Sequence, residues 1–151
     1  MSQQISEKTQ SRRLSARLYS DLIGKPYRDA GRGPEAFDCL GLAIEMQRRQ
    51  GRKVPDFAST IEEFHQHYQP GAEGHPGILG PAREIPTAVP GCAVLLRMMG
   101  GELHLGTMLD AWTMLHTQRG IGAACTESLL RPVWQRRVIG YYVPEELAAP
   151  W

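Results

Sequence analysis

The residue most able to do chemistry is Cys39, within Phe37-Asp38-Cys39-Leu40-Gly41-Leu42. Leu40 to Gln50 has helix-forming composition and Gly51 is a natural C-terminal stop, so Cys39 falls on the first turn of an expected helix. Leu40 with Ile44, and Leu42 with Met46, lie four apart and can share a buried face. A thiol at a helix start meets unpaired backbone N–H groups and the positive end of the helix dipole. Both favour the thiolate, the form that attacks, against a free-cysteine pKa of roughly 8.5. The expectation is a nucleophile activated by its position.

A nucleophile needs a base, and two histidines downstream are candidates. Leu103-His104-Leu105-Gly106-Thr107-Met108-Leu109 alternates as a strand does. His104, Gly106 and Met108 fall on one face, with Leu103, Leu105 and Leu109 on the other. Asp110-Ala111 is short enough for a tight hairpin, although it lacks the preferred glycine. In the next strand, Trp112-Thr113-Met114-Leu115-His116, His116 shares a face with Trp112 and Met114. Two histidines on neighbouring strands can therefore converge on Cys39. A Cys–His pair whose imidazole is oriented by a third polar group is what thiol catalysis requires, and its members meet in space rather than in sequence.

Gly24-Lys25-Pro26-Tyr27, Phe37-Asp38-Cys39-Leu40-Gly41-Leu42, His104-Leu105-Gly106 and Leu115-His116, in that order, resemble the NlpC/P60 family of papain-like cysteine peptidases. Within the family the likeness is to the phage tail-associated type, and it runs from Gly24 to about Leu130. It implies an α+β, papain-like fold with N-terminal helices packed on an antiparallel β-sheet. It also implies an endopeptidase or amidase cutting peptidoglycan stem peptides, often at a γ-D-glutamyl–diamino acid bond. By the same resemblance Cys39 is the nucleophile, His104 the base and His116 the residue that orients His104. Tyr27 and Asp38 are the implied substrate contacts. The chain departs from the pattern at Leu40, where many members carry Ser and the tail type a bulky apolar residue. It departs again at Cys92, which replaces Asp after Pro90-Gly91. The Cys-before-His order separates it from circularly permuted relatives that act on lipids.

The elements that must position these residues are expected as follows. Residues 1–10 form a polar arm, 11–144 the catalytic domain and 145–151 a tail. Leu14, Leu18 and Leu22 predict a helix over Ser11–Ile23, followed by a Gly- and Pro-rich loop, Gly24–Glu35, that leads into the Cys39 helix. Ser59-Thr60-Ile61-Glu62 reads as a capping box that starts another helix. Gln69–Pro90 reads as a long irregular connection that could wall the cleft. Strands are expected at Cys92–Met99, Leu103–Leu109, Trp112–Thr117 and Val133–Val143, with a helical turn near Thr126–Leu130. Helices first and an antiparallel sheet later again give α+β.

At 151 residues the chain suits one domain with its own core. A formal net charge of +1 gives no reason to expect nucleic acid, and Arg12-Arg13, Arg48-Arg49 and Arg136-Arg137 read as solvated faces. Three cysteines without disulfide-style spacing fit a reducing compartment and one thiol free for chemistry. No apolar h-region opens the chain and no run is long enough to cross a bilayer. The expectation is synthesis in the cytoplasm without a signal peptide, with action at the cell wall as a tail component. The partners expected are a peptidoglycan stem peptide and phage tail proteins. Trp151 is a candidate docking anchor.

No cofactor is expected. A Cys₂His₂ zinc set of Cys39, Cys92, His104 and His116 exists on paper, but it lacks ligand-type spacing and no metal site is assigned. Cys92 and Cys125 read as small core hydrophobes, and His65, His67 and His75 as surface or loop residues. Two other functions stay open: a non-catalytic tail-tip or wall-peptide-binding module of the same fold, and a wall amidase toxin delivered by a secretion machine.

Overall fold

The computed structural model describes residues 12–54 and 82–144. The polar arm, the helix expected from Ser59, most of Gln69–Pro90 and the 145–151 tail lie outside them. Helix α1 spans Cys39–Arg49. Its start is set by Asp38, whose Oδ1 accepts the Gly41 N–H at 2.6 Å and so satisfies one of the orphan amides of the first turn. Its end is set by Gly51 at φ +86°, the left-handed conformation that a helix stop favours.

Six antiparallel strands form one sheet in the order β1-β6-β2-β3-β4-β5. These are β1 Ala82–Ile85, β2 Ala93–Arg97, β3 Leu103–Met108, β4 Thr113–His116, β5 Cys125–Ser128 and β6 Val138–Pro144. Together with α1 they make the α+β architecture expected from the sequence.

Every residue of β3 is buried, because both faces of the sheet are covered. On one face Leu40, Ala43 and Ile44 of α1 pack on Ala93, Leu95, Leu103 and Leu105, and Leu42 and Met46 pack near Leu109 and Leu115. On the other face Val94, Leu96, Met108 and Met114 are closed over by Trp134. Trp134 belongs to a one-turn helix, α2, Pro132–Gln135. Alternation along β3 therefore decides which residues meet α1 and which meet Trp134.

Two backbone approaches hold α1 in place. Gln47 is fully buried and donates through Nε2 to the Gly91 carbonyl at 2.9 Å, and Gln50 donates to the same oxygen at 3.0 Å. This ties the C-terminal half of α1 to the entry of β2. At the other end a side chain on Gly41 would collide with the Gly31 carbonyl oxygen. Backbone meets backbone there, so only glycine fits. Gly41→Ala is expected to cost about 1–3 kcal/mol through overpacking, read as a lower urea midpoint. A midpoint equal to wild type would show that the helix start can slide, and with it Cys39.

Several expectations are corrected. The strand expected over Val133–Val143 begins only at Val138, because Pro132–Gln135 forms α2. Of the helix expected over Ser11–Ile23, the described residues 12–23 form only a 3-10 turn at Ala16–Leu18 followed by further turns. The Leu14 N–H bonds the Leu109 carbonyl at 2.7 Å, which holds that segment against the sheet. Thr126–Leu130 is not a helical turn: Cys125–Ser128 is strand β5, paired with β4. β1 emerges from the stretch read as irregular, as an edge strand on β6. The β3–β4 connection is also wider than Asp110-Ala111. Asp110 Oδ1 accepts the N–H groups of Trp112 and Thr113 at 2.8 and 2.7 Å, doing the work a glycine turn would otherwise do.

Candidate active site

A pocket of about 490 Å³ opens where β3 begins, with Tyr27, Cys39 and His104 in its wall. The Asp38 cap and the Gly41–Gly31 approach place Cys39 at the start of α1, over the sheet. The Leu105 N–H, on the residue after His104, acts on the Cys39 sulfur. The remaining walls come from Met98, Glu102 and Leu103 around the β2–β3 turn, and from Thr117 to Gly120 after β4. The described part of Gln69–Pro90 contributes nothing to this wall.

His104 and His116 meet as their strand faces require. β3 pairs with β4 in the register Thr107↔Leu115 and Met108↔Met114, so the two rings fall diagonally on one face. His104 Nε2 and His116 Nδ1 are 2.8 Å apart. Trp134 packs edge-on against His116, with ring centroids 5.1 Å apart. On the far side His116 Nε2 lies 3.7 Å from Cys125 Sγ. A neutral imidazole donates from one nitrogen and accepts at the other. If His116 donates from Nε2 towards Cys125, its Nδ1 must accept the Nε2–H of His104, and His104 Nδ1 is left with a free lone pair. Contacts beyond His104 can thus choose its tautomer.

Burial sets the charge states. It pushes the Cys39 thiol up to about 12, and the neighbouring Asp38 charge adds to this; the N–H groups of Leu105, Leu40 and Cys39 itself oppose it. The expectation of a thiol activated by the helix start alone is therefore corrected: desolvation outweighs the helix amides. Burial also lowers His104 to about 3, helped by His116 and Arg137, and lowers His116 to about 4. The resting site holds a thiol and two neutral imidazoles.

The unfolded chain binds protons on these histidines more readily than the folded one, because their folded values lie below the ordinary 6.5. Their contribution to stability is complete above about pH 6.5 and is lost as pH falls towards 4 and then 3. The urea midpoint should fall between pH 7 and pH 5, and a His104→Gln/His116→Gln variant should flatten that slope. A wild-type midpoint that rises on acidification would contradict the buried neutral pair.

Asp38 does not take the substrate position expected of it. It is 1% exposed and absent from the pocket wall. Its Oδ1 accepts from Gly41 and from Arg32 Nη1, the latter at 2.9 Å. Desolvation nevertheless raises its pKa above the ordinary value, against the pull of Gly41 and Arg32. Cys92 is fully buried in the sheet core, as expected, and burial pushes its thiol up to about 11. The paper zinc set does not assemble: among the described residues, the group able to hold an ion is His116, Cys125 and Glu127.

Residues 24–143 match the sequence profile of the NlpC/P60 family. The chain belongs to that family. Solved structures show the same fold at low identity. A Staphylococcus aureus lipoprotein-like NLP/P60 protein is 18% identical with a TM-score of 0.56, over 93% of this chain and 46% of that one. The NlpC/p60 domain of the peptidoglycan hydrolase SagA is 19% identical, TM-score 0.53, over 86% and 94%. The P60 domain of a Mycobacterium avium subspecies paratuberculosis antigen is 20% identical, TM-score 0.53, over 87% and 90%. This chain thus spans less than half of the S. aureus protein. No curated protein matches the sequence.

Several side chains of this NlpC/P60 site were not singled out from the sequence. Tyr27 Oη donates to Asp29 Oδ1 at 3.0 Å, and Arg119 Nη2 donates to the same oxygen at 2.7 Å. Burial and then Asp29 hold the Tyr27 phenol well above its usual range. This chain links the loop before α1 to the loop after β4, across the pocket mouth. Asp29 and Arg119 are 90 residues apart and sit in polar loops, where charge is the rule. No local signal marks them. Cys125 could have been found by pairing, since it lies directly opposite His116, but that needs β5 to be recognised as a strand.

Proposed function

We propose that this NlpC/P60 chain is a cysteine peptidase or amidase that hydrolyses peptidoglycan stem-peptide amide bonds, with a γ-D-glutamyl–diamino acid linkage as its bond. The reading is carried by one pocket that has both Cys39 and His104 in its wall, with His104 Nε2 held 2.8 Å from His116 Nδ1. In the proposed mechanism the entering amide displaces water from the pocket. His104 Nδ1 takes the Cys39 proton as sulfur attacks the carbonyl. The Cys39 N–H donates to the developing oxyanion. His104 then protonates the leaving amine and activates the water that hydrolyses the acyl-enzyme. His116 accepts from His104 and steadies the imidazolium. Tyr27, together with the Asp29–Arg119 pair, contacts the peptide. Arg119 offers a cation and Glu102 an anion to a substrate that carries both carboxylates and amines.

Mass spectrometry of muropeptides after incubation with wild type and with Cys39→Ala tests this. New fragments made by wild type alone are expected, and their masses identify the bond. No cleavage by either protein would favour the second reading, a wall-peptide-binding module. The neutral resting thiol and imidazole are the observation on its side.

The cellular setting we propose is a phage or prophage tail, with tail proteins as neighbours. Leu40 supports it: the bulky apolar residue expected of the tail type stands after the nucleophile and is fully buried among α1 and sheet residues. Expression inside a bacterium should be tolerated, whereas fusion to an export signal should cause lysis that depends on Cys39. Healthy cells exporting the intact protein would count against wall cutting.

A further inference from the structure

Two side chains beside His116, Cys125 and Glu127, are not among the reacting groups of the proposed mechanism. β4 and β5 pair with His116 opposite Cys125 and Met114 opposite Glu127, so Cys125 and Glu127 point to the same face as the histidine. His116 Nε2 and Cys125 Sγ are 3.7 Å apart, and one donor atom from each of the three residues lies within 4.8 Å of the others. We propose that His116, Cys125 and Glu127 form a site for a thiophilic divalent cation, Zn²⁺ in the first instance, whose binding switches off the neighbouring histidine pair. The binding site stands on this geometry alone; the switching rests on the peptidase reading above.

The donor set suits zinc. Zn–S of about 2.3 Å and Zn–N of about 2.05 Å at a tetrahedral angle put nitrogen and sulfur about 3.6 Å apart. The observed separation needs almost no adjustment. An imidazole, a thiolate and a carboxylate are borderline donors that favour zinc over magnesium or calcium, which take oxygen shells. The surroundings already hold the ligands. Trp134 fixes the His116 ring, and Arg131 Nη1 lies 3.5 Å from Glu127 Oε2, which orients that carboxylate. Cys125 is partly exposed, so an ion can enter from solvent. Binding displaces the Cys125 thiol proton to solvent.

The consequence follows from proton placement. A zinc-bound neutral His116 uses Nε2 for the metal and carries its proton on Nδ1. That N–H then donates to His104 Nε2, 2.8 Å away, and the neutral His104 must hold its own proton on Nδ1. The lone pair that would accept the Cys39 proton is gone. Cation binding reverses both tautomers without touching Cys39 or the pocket.

Zinc and cobalt titrations of the full chain test this, with bound metal measured directly and cobalt followed by its sulfur-to-metal absorption band. Wild type and Cys39→Ala should each bind one equivalent with the thiolate band. Cys125→Ser should lose the band and bind at least ~10-fold more weakly, and Glu127→Gln should also bind more weakly. Undiminished binding by Cys125→Ser, or binding lost in Cys39→Ala, would overturn the site. In turnover assays saturating Zn²⁺ should suppress wild type while Cys125→Ser resists. Full turnover with the thiolate band present would overturn the switch. Zinc held through Cys125 by a protein that cuts no stem peptide would uphold the site and count against the peptidase reading.

Discussion

Cys39→Ala is expected to lower stem-peptide hydrolysis by ~10⁴-fold or more, to the limit of detection. Removing the sulfur removes the covalent intermediate, so one difficult amide hydrolysis is no longer divided into two easier steps. The residual rate would come only from binding and polarising the amide. Stability should change little, because the side chain is small and stands at the pocket wall rather than in a hydrophobic cluster. Combining Cys39→Ala with His104→Ala should add almost nothing, since the two act on the same step. Steady-state assays on a defined stem peptide, with unfolding curves alongside, measure all of this. A Cys39→Ala protein retaining a tenth of wild-type activity would remove Cys39 from the mechanism.

His104→Ala should be nearly as damaging, because the resting thiol is protonated and cannot attack unless its proton is taken. His116→Ala should cost less, roughly 10²–10⁴-fold, since His116 orients and stabilises rather than reacts. His116→Asn should recover part of that loss. Its amide oxygen can stand near the position of Nδ1 and accept from His104 Nε2. A merely structural His116 would not respond to this replacement. Wild-type kcat/KM should also keep its acid limb well below pH 6.5. The active form has His104 neutral, and burial lowers the pH at which that form is lost. Equal losses in His104→Ala and His116→Ala, with no rescue by Asn, would break the assignment of distinct roles.

The parts of the fold read correctly in advance were those with local causes. Apolar residues four apart and Gly51 at the stop together predict α1, and these signals lie within the 12 residues from Leu40 to Gly51. β3 and β4 were legible because Leu103 and Leu105 recur at strand spacing and a second apolar run follows within a hairpin's length. β5 and β1 were not, since each is an edge strand whose half-exposed residues carry little pattern. Their conformation is imposed by the ladder they join. The leucine spacing at Leu14, Leu18 and Leu22 misled because periodicity does not reveal that the Leu14 N–H is taken by Leu109.

The sequence by itself determined the family motifs, the candidate nucleophile and the two histidines, because residue types and short spacings are local properties of the chain. It also set His104 and His116 on neighbouring strands, while the register that brings them to one face came from the sheet. The charge states were decided only by the tertiary structure. Helix-start amides favour the Cys39 thiolate, but enclosure between α1 and β3 costs more than those amides return, and burial likewise keeps both histidines neutral. Asp38 became a cap rather than a substrate contact for a similar reason: its Oδ1 faces the Gly41 amide and Arg32. Cys125 reached His116 only through the pairing of β5 with β4. Desolvation and cross-strand contact depend on residues far apart in the chain, so both arise only when the sheet has formed.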